Sequence, residues 1–535
     1  ADGKVFVGRL DGKLVALDQR NGNELWSVQA ERWEDGFTLT SAPLYYEGMI
    51  ITGFAGAEFA MRGRVKAFSA KNGKLLWTFY TVPAPGEPGH ETWPQDNDSW
   101  LHGGATVWQT PAVDPELGLI YFATGNPGPD FSGAVRKGDN LYTVSVVALE
   151  AKTGKYRWHF QEVHHDLWDY DATSPVVLFD VSSRGELRKG LAQVGKTGWA
   201  YILDRATGKP LVGIDERPVP QEPRQATSPT QPFPAGDPTV PHTIDIPPVG
   251  YQLVNDGGIF TPYWDKPIVA KPSPWGGTNW SPSSYDPREG YLFVCANDAM
   301  GRFVVTKLEN AESGKSYMGG QFGFSDIPRT GVFAAVDVRT NKLAWRQRWK
   351  DTCYSGSSAT GGDLVFTGSN DGHFMAINSR NGDLLWNFQT DAGVNATATI
   401  FRYQGKEKIV VYSAGNTFAG SPAGDSVWLF SLDGTIGPTP PPQAATVAVQ
   451  RVSTDNANVE AGGKVFAQYC ALCHGEDGAG GHGGGPDITK IDSPQVVATT
   501  VTAGKNNKMP PFASVLTPDQ IRDVAVFVAT KLGKK

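Results

Sequence analysis

Cys470-Ala471-Leu472-Cys473-His474 puts two thiols and an imidazole into one short segment. Two residues between the cysteines place both sulfurs on one side of a helical turn, where they can form thioethers to a haem while His474 faces the iron. No second ligand pair with zinc spacing accompanies them, so haem c is the chemistry they imply. Met509 is the only methionine after this motif. A His474/Met509 couple raises the potential and closes the iron to substrates, as an electron carrier requires, with His482 as the competing ligand. A second centre is Asp169, set in Leu167-Trp168-Asp169-Tyr170. Burying a carboxylate among aromatic rings is costly unless a cation or hydrogen-bond donors face it.

The elements that position such groups belong to a repeat. An apolar strand, an Asp or similar residue, a Thr-Gly or Asn-Gly turn and a Trp recur at Leu14–Trp26, Val65–Trp77, Val146–Trp158, Phe333–Trp345 (Asn for the Gly) and Phe374–Trp386. A degenerate copy, Ala200–Leu211, keeps the Thr-Gly and loses the Trp. The turn dipeptides supply the positive φ of tight hairpins, and the alternation before them suits half-buried strands. Radially arranged sheets protect one another's edges, so an all-β propeller is expected over residues 1–436. Arg217–Val249, polar and dense in Pro, reads as a long surface excursion. A stiff Pro-rich linker is expected over 437–450. Residues 451–535 then read as a small all-α domain: a helix into Cys470, a Gly-rich loop, and a closing helix over Pro518–Lys531.

A chain of 535 residues holds one large domain and a smaller one at roughly 100–200 residues per domain. With 19% charged residues, 63 Gly, 38 Pro and 16 Trp, the composition suits short strands and excludes disorder and coiled coil. The net charge of −7, without a dense Lys/Arg run, excludes nucleic acid as a partner. No stretch reads as a transmembrane span. No Gly-x-Gly-x-x-Gly joins a strand to a helix, which leaves a nicotinamide or flavin Rossmann unit unsupported. The opening Ala1–Leu10 reads as turn and strand of a folded domain instead of a leader, so a missing N-terminal segment is expected. Haem attachment together with a lost leader points to a bacterial periplasm. Cys295 and Cys353 stand alone, either paired or as buried thiols.

Among the Trp-ended repeats stand, in order, Gly56-Ala57-Glu58, Gly103-Gly104-Ala105-Thr106-Val107-Trp108, Gly125-Asn126, Trp168-Asp169-Tyr170-Asp171 and Gly277-Thr278-Asn279-Trp280. This order resembles the pyrroloquinoline quinone (PQQ) dehydrogenases. With the fused haem segment, itself similar to class I cytochrome c domains, the chain resembles the quinohaemoprotein alcohol dehydrogenases over essentially its whole length. The resemblance implies an eight-bladed ring, incomplete here. It implies that Glu58, Asn126 and Asp169 ligate a hard cation and that PQQ stacks on Trp108. It further implies that Thr106, Lys196, Asn279, Thr40 and Arg62 hydrogen-bond the quinone, with Gly56 and Ala57 beside it. Calcium is the expected ion, while Asp171 holds the place of the acid that accompanies lanthanide use in the family.

The implied reaction is oxidation of a small alcohol. Asp169 takes the hydroxyl proton, the cation polarises the quinone carbonyl, and electrons pass to haem c and on to an external cytochrome, cupredoxin or quinone-linked protein. Two features depart from the pattern. The adjacent Cys-Cys pair that covers the other face of PQQ in alcohol-oxidising relatives is absent. His164-His165-Asp166-Leu167-Trp168-Asp169 and Ser228-Pro229-Thr230-Gln231-Pro232 resemble membrane-type quinoprotein glucose dehydrogenases, which sets His164 or His165 against a polyol. A sugar, polyol or polymeric alcohol is therefore the alternative substrate. A scaffold without cofactor, as in outer-membrane assembly lipoproteins, carrying a cytochrome is the alternative of another class.

Overall fold

Every Trp-ended repeat contributes a hairpin to an antiparallel sheet. In the computed structural model, which describes residues 1–183, 185–324, 329–416, 418–441, 456–480, 485–505, 509, 511–513 and 515–532, the strands pair in chain order. Leu44–Tyr46, Met49–Gly53, Arg64–Ser69 and Leu75–Tyr80 form one such sheet. Ala112–Asp114, Leu119–Ala123, Ser145–Glu150 and Tyr156–Gln161 form another, and Ser284–Asp286, Tyr291–Asp298, Thr330–Asp337 and Lys342–Trp349 a third. Three-stranded sheets run through Lys4–Gly8, Lys13–Asp18 and Glu24–Gln29, and through Val177–Ser183, Glu186–Val194 and Ala200–Asp204. This up-and-down order is that of propeller blades.

The chain divides into two compact units, residues 1–320 with 327–348 and 380–382, and residues 321–326 with 349–379 and 383–535. The second holds the sheet of Ser357–Ala359, Leu364–Gly368, His373–Asn378 and Leu384–Gln389, the sheet of Thr399–Tyr403, Lys406–Ser413 and Ser426–Phe430, and the C-terminal helices. Cys295 and Cys353 are disulfide-bonded, whereas Cys470 and Cys473 carry free thiols.

The repeat has a packing logic. Four of the five repeat Trp residues seat on the turn glycine of the following repeat: Trp26 on Gly73, Trp77 on Gly154, Trp158 on Gly208 and Trp345 on Gly382, while Trp386 packs against Phe374, Phe388 and Phe430. A Cβ on Gly154 would fall 2.5 Å from the Trp77 ring, and φ of +68° there favours glycine independently. The indole N–H groups of Trp26 and Trp77 reach the carbonyls of Ala70 and Ala151. This explains the irregular copies. Ala200–Leu211 lacks a Trp yet retains Gly208, because Gly208 receives Trp158. The next repeat receives no Trp, so Asn341 can replace glycine at φ +57° and donate its amide to the carbonyls of Ala200 and Ala235.

The Pro-rich segment is more than the surface excursion its composition suggests. Thr230–Pro234 pairs with Ile214–Pro218 in a two-stranded sheet, where proline's missing N–H is tolerated because each strand has a free edge. Gln225 and Gln231 are buried.

The helical part comprises α1 (Val459–Tyr469), α2 (Ala471–His474), α3 (Pro494–Ala503) and α4 (Pro518–Phe527). Asn458 caps α1 and Ser493 caps α3. Thr517 and Gln520 form a capping box at α4, which continues as a wider turn over Val528–Leu532 where an unbroken helix was expected. Residues 442–450 of the expected linker and His482 lie outside the described residues. No helix among the described residues is long and apolar enough to cross a membrane.

Candidate active site and haem site

Asp169 owes its position to its neighbours. The buried Asp166 carboxylate accepts the backbone N–H of Trp168 at 3.0 Å and of Tyr170 at 2.9 Å. The Trp168 indole donates to the Thr261 carbonyl and the Tyr170 hydroxyl to that of Pro272. With both aromatic rings anchored in the core, the backbone at Asp169 turns to φ +60°. The buried Arg136 completes the support, donating to Asn140 Oδ1 and to the carbonyls of Pro129, Asp130 and Asp166.

Lys196 stands between the two acids of this loop, its Nζ 2.8 Å from Asp169 Oδ1 and 2.9 Å from Asp171 Oδ1. The Trp108 indole donates to the other Asp171 oxygen at 3.0 Å. Asp171 is therefore a clamp on Lys196 and Trp108, not a turn residue bonded to its own backbone. Glycines admit these approaches. A Cβ on Gly125 would fall 2.7 Å from Asp171 Oδ2, and one on Gly276 would fall 2.4 Å from Lys196 Cα. Gly277 N–H and the Thr278 hydroxyl brace the Lys196 loop through the carbonyls of Lys196 and Gly195.

The charges are coupled. Burial pushes the Asp169 carboxyl well above the ordinary carboxylate range against the pull of Lys196, with Asp171 adding to the rise. Asp171 is held low despite burial by Lys196 and the hydrogen bonds it receives, which makes Asp169 the more basic of the pair. Burial raises Glu58 as well, and the Asp171 charge acts in the same direction. Glu58 lies on the short turn Ala57–Phe59, after Gly56 at φ 121°. Asn126 is buried, its amide turned to the Pro127 carbonyl. Thr106 is buried beside Gly125.

A cleft of about 520 Å³ is lined by Thr40, Trp108, Gln109, Thr110 and Trp280 among others. Thr40 bonds the Trp108 carbonyl. Two expected contacts differ. Arg62 lies against the Tyr80 and Trp100 rings and bonds Glu87 and the Val82 carbonyl, which commits its guanidinium away from the Lys196 cluster. Asn279 spends its amide on the Trp275 carbonyl and the Trp280 N–H. The histidines separate too. His165 is buried with its ring nitrogens 2.7 Å from the carbonyls of Gly138 and Gln225, and burial, with Arg136, lowers its pKa to about 3. It is part of the scaffold. His164 faces Glu216 in a separate cleft of about 330 Å³.

Sequence reasoning missed Asp130, Asp166 and Arg136. Asp130 is 1% exposed and its Oδ1 has no hydrogen-bond partner. Burial raises it well above the carboxylate range, with the charges of Glu58 and Asp171 next. Its setting in Gly-Pro-Asp looks like an ordinary turn, and no local signal separates the two. Among the described residues no three His, Cys, Asp or Glu side chains converge as a chelating group, and the Lys196 ammonium lies within 2.9 Å of both Asp169 and Asp171. The donor set nevertheless suits a hard cation: buried carboxylates outnumber the single ammonium, and an orphaned carboxylate oxygen lies among them.

In the helical part, Cys470 belongs to the core that Met509 packs against. Burial pushes the Cys470 thiol up to about 12 and raises Cys473. His474 Nδ1 lies 2.9 Å from the Pro486 carbonyl. A carbonyl only accepts, so the proton stays on Nδ1 and Nε2 keeps the lone pair for iron. A Cβ on Gly485 would fall 2.8 Å from that nitrogen. These residues fit covalent haem with a histidine ligand.

Comparison with known proteins gives three family matches: the beta-propeller domain of glucose/ethanol/alcohol dehydrogenases over residues 1–325, subunit III of cbb3-type cytochrome c oxidase over 457–528, and the outer membrane protein assembly factor BamB over 329–469. The chain is 32% identical to quinohemoprotein alcohol dehydrogenase ADH IIB of Pseudomonas putida, an alignment covering 99% of this chain and 78% of that protein. It is 30% identical to the quinohemoprotein alcohol dehydrogenase of Comamonas testosteroni, over 98% and 76%. The solved structure of ADHIIG from Pseudomonas putida HK5 superposes with a TM-score of 0.72 at 29% identity, covering 99% of this chain and 80% of that one. A europium-containing methanol dehydrogenase gives 0.65 at 27%, over 78% and 72%.

Proposed function

The chain belongs to the quinohaemoprotein alcohol dehydrogenases, β-propeller enzymes that oxidise alcohols with PQQ and pass electrons to haem c, and we propose that Asp169 is its general base. One observation carries this reading: a buried, strongly basic carboxyl paired with Lys196 at 2.8 Å, beside an indole that the same acid cluster fixes. Glu58, Asn126 and Asp169 would hold the cation, calcium in the first instance. Trp108 would support the quinone plane, with Thr106, Thr40 and Lys196 at its edge. PQQ, when bound with its cation, supplies the electrophilic carbonyl that takes the hydride from the alcohol carbon.

The chain's own residues handle the proton and the geometry. Asp169 removes the hydroxyl proton, and its raised pKa makes its ionised form a stronger proton acceptor than an ordinary carboxylate. Lys196 holds Asp171 low and opposes, without cancelling, the rise that burial imposes on Asp169. The loop pinned by Asp166 and Arg136 fixes the carboxylate against rotation. Electrons leave through the haem that Cys470, Cys473 and His474 would hold, with Met509 as sixth ligand, toward an external acceptor. The disulfide and the haem motif support a periplasmic setting. The burial of His165 on two carbonyls removes it as a sugar contact, while His164 beside Glu216 keeps a polyol as the alternative. Full-length apoprotein is reconstituted with PQQ and calcium or lanthanum, then mixed with ethanol, glycerol or glucose while haem reduction is followed. Rapid reduction by ethanol supports the reading; an oxidised haem with every substrate rejects it.

A further inference from the structure

We propose that residues 306–319 are a strap that positions Glu58, with the backbone N–H groups of Gly314 and Tyr317 as its latches. The inference deepens the reading above, on which it rests, by naming what holds that side chain's turn in place. The turn carrying Glu58 is too short to hold itself. It comprises three residues without a side-chain cap, closed by Phe59 N–H donating to the Gly56 carbonyl at 3.0 Å. Ala60 ends it in the left-handed region at φ +52°, which costs a residue with a Cβ about 1–2 kcal/mol and persists only where the surroundings enforce it. The enforcement comes from outside. Three consecutive carbonyls accept bonds from distant segments: Glu58 from Tyr317 N–H at 2.7 Å, Phe59 from Gly314 N–H at 3.0 Å, and Ala60 from His102 Nδ1 at 2.8 Å. The Tyr317 ring meets His102 edge-on, with centroids 6.3 Å apart, so the strap braces the third donor as well.

The strap is anchored at its base and open along its back. Thr306 N–H donates to the Gly319 carbonyl at 3.2 Å, Gly319 N–H to Glu309 Oε2 at 2.9 Å, and Phe131 N–H to the Met318 carbonyl at 2.8 Å. Gly314, at φ +78°, crosses the Glu34 carbonyl so closely that a Cβ has no room there. Tyr317 and Met318 are buried on the inner side, while Lys307, Lys315 and residues 310–313 are exposed. A segment wetted along its back and tied by backbone bonds belongs to the low-stability end of a fold. Loosening it therefore frees the Glu58 turn while the blades stay folded.

Full-length protein is compared as the parent, Gly314→Ala, Glu309→Ala, Glu309→Gln, Glu58→Gln, and Gly405→Ala, which places the same left-handed backbone at φ +77° in open space. Amide hydrogen exchange read by mass spectrometry follows residues 56–61, and calorimetry gives calcium affinity after chelator stripping, with PQQ present. Gly314→Ala is expected to speed exchange over 56–61 about tenfold and to lower calcium affinity about tenfold or more, with Gly405→Ala like the parent in both. Glu309→Ala cuts only the base of the strap and moves both readings the same way, whereas Glu309→Gln keeps an acceptor for Gly319 N–H and restores them. Parent-like calcium affinity in Gly314→Ala beside a weakened Glu58→Gln overturns the positioning role and leaves the metal reading standing. Unchanged calcium affinity in Glu58→Gln overturns the metal reading instead. Exchange then decides the strap alone, with faster exchange in Gly314→Ala keeping it and parent-like exchange removing it. Should Gly314→Ala fail to fold, the Glu309 pair carries the same decision.

Discussion

Truncating Asp171 to Ala tests whether that residue is a clamp. Its carboxylate is 3% exposed and accepts from Lys196 Nζ at 2.9 Å and Trp108 Nε1 at 3.0 Å. Removal strands the indole N–H, at about 1–3 kcal/mol, and deletes one charged hydrogen bond of about 1.5–3 kcal/mol. Lys196 retains Asp169, and repulsion between two close carboxylates is relieved, so the net loss for the ion-free protein is about 2–3 kcal/mol. Asp171→Asn keeps an acceptor for the indole and costs about 1 kcal/mol. Denaturant titration followed by tryptophan fluorescence reads both changes as midpoint shifts at constant slope. The indole bond also holds the Trp108 plane, so PQQ affinity in the Ala variant, measured with calcium saturating, falls about tenfold, equivalent to ~1.4 kcal/mol. Parent stability together with parent PQQ affinity refutes the clamp. A loss confined to lanthanum-supported activity instead makes Asp171 a metal ligand alone.

Burial lowers His159 and His242 from 6.5 to about 4. The unfolded chain therefore protonates first, and the stability these neutral rings confer is complete above about pH 6.5 and lost as pH falls toward 4. The slope is at most about 1.4 kcal/mol per pH unit for each. Midpoints of denaturation at stepped pH give the slope, which the double Asn variant reduces by these two contributions while that of His165 remains. Gly154→Ala, whose Cβ would fall 2.5 Å from the Trp77 ring at φ +68°, destabilises by about 2–4 kcal/mol. Gly22→Ala, at φ +76° with open space around it, costs about 1 kcal/mol in the same unfolding assay. Replacing Cys470 and Cys473 by Ala removes covalent haem, seen as haem lost on acid-acetone extraction, while alcohol-dependent reduction of an artificial dye persists.

The parts legible in the sequence are those written locally. Trp-ended hairpins, the haem motif and the α4 capping box each depend on residues a few positions apart, and Asp169 is conspicuous because aromatic residues flank it. What escaped depends on distant partners. Asp130 reads as a turn acid until its burial with an unpartnered oxygen is known. His165 reads as a polar loop residue, although the carbonyls of Gly138 and Gln225 enclose it. Arg62 was expected on the quinone, yet its cation finds Glu87 and two aromatic rings. The Pro-rich segment reads as a surface excursion too Pro-dense for interior strands, and composition does not reveal that it forms a two-stranded sheet in which each strand keeps an unpaired edge. Asn341 looked like a flaw in the repeat, and only the missing Trp in the preceding copy explains it.

The direct test of Asp169 as the base is rapid mixing of alcohol with Asp169→Asn protein carrying PQQ, cation and haem at parent occupancy. Haem reduction is expected to slow by about two to four orders of magnitude with quinone still bound. Reduction within tenfold of the parent rate at equal occupancy contradicts the assignment and places the base elsewhere.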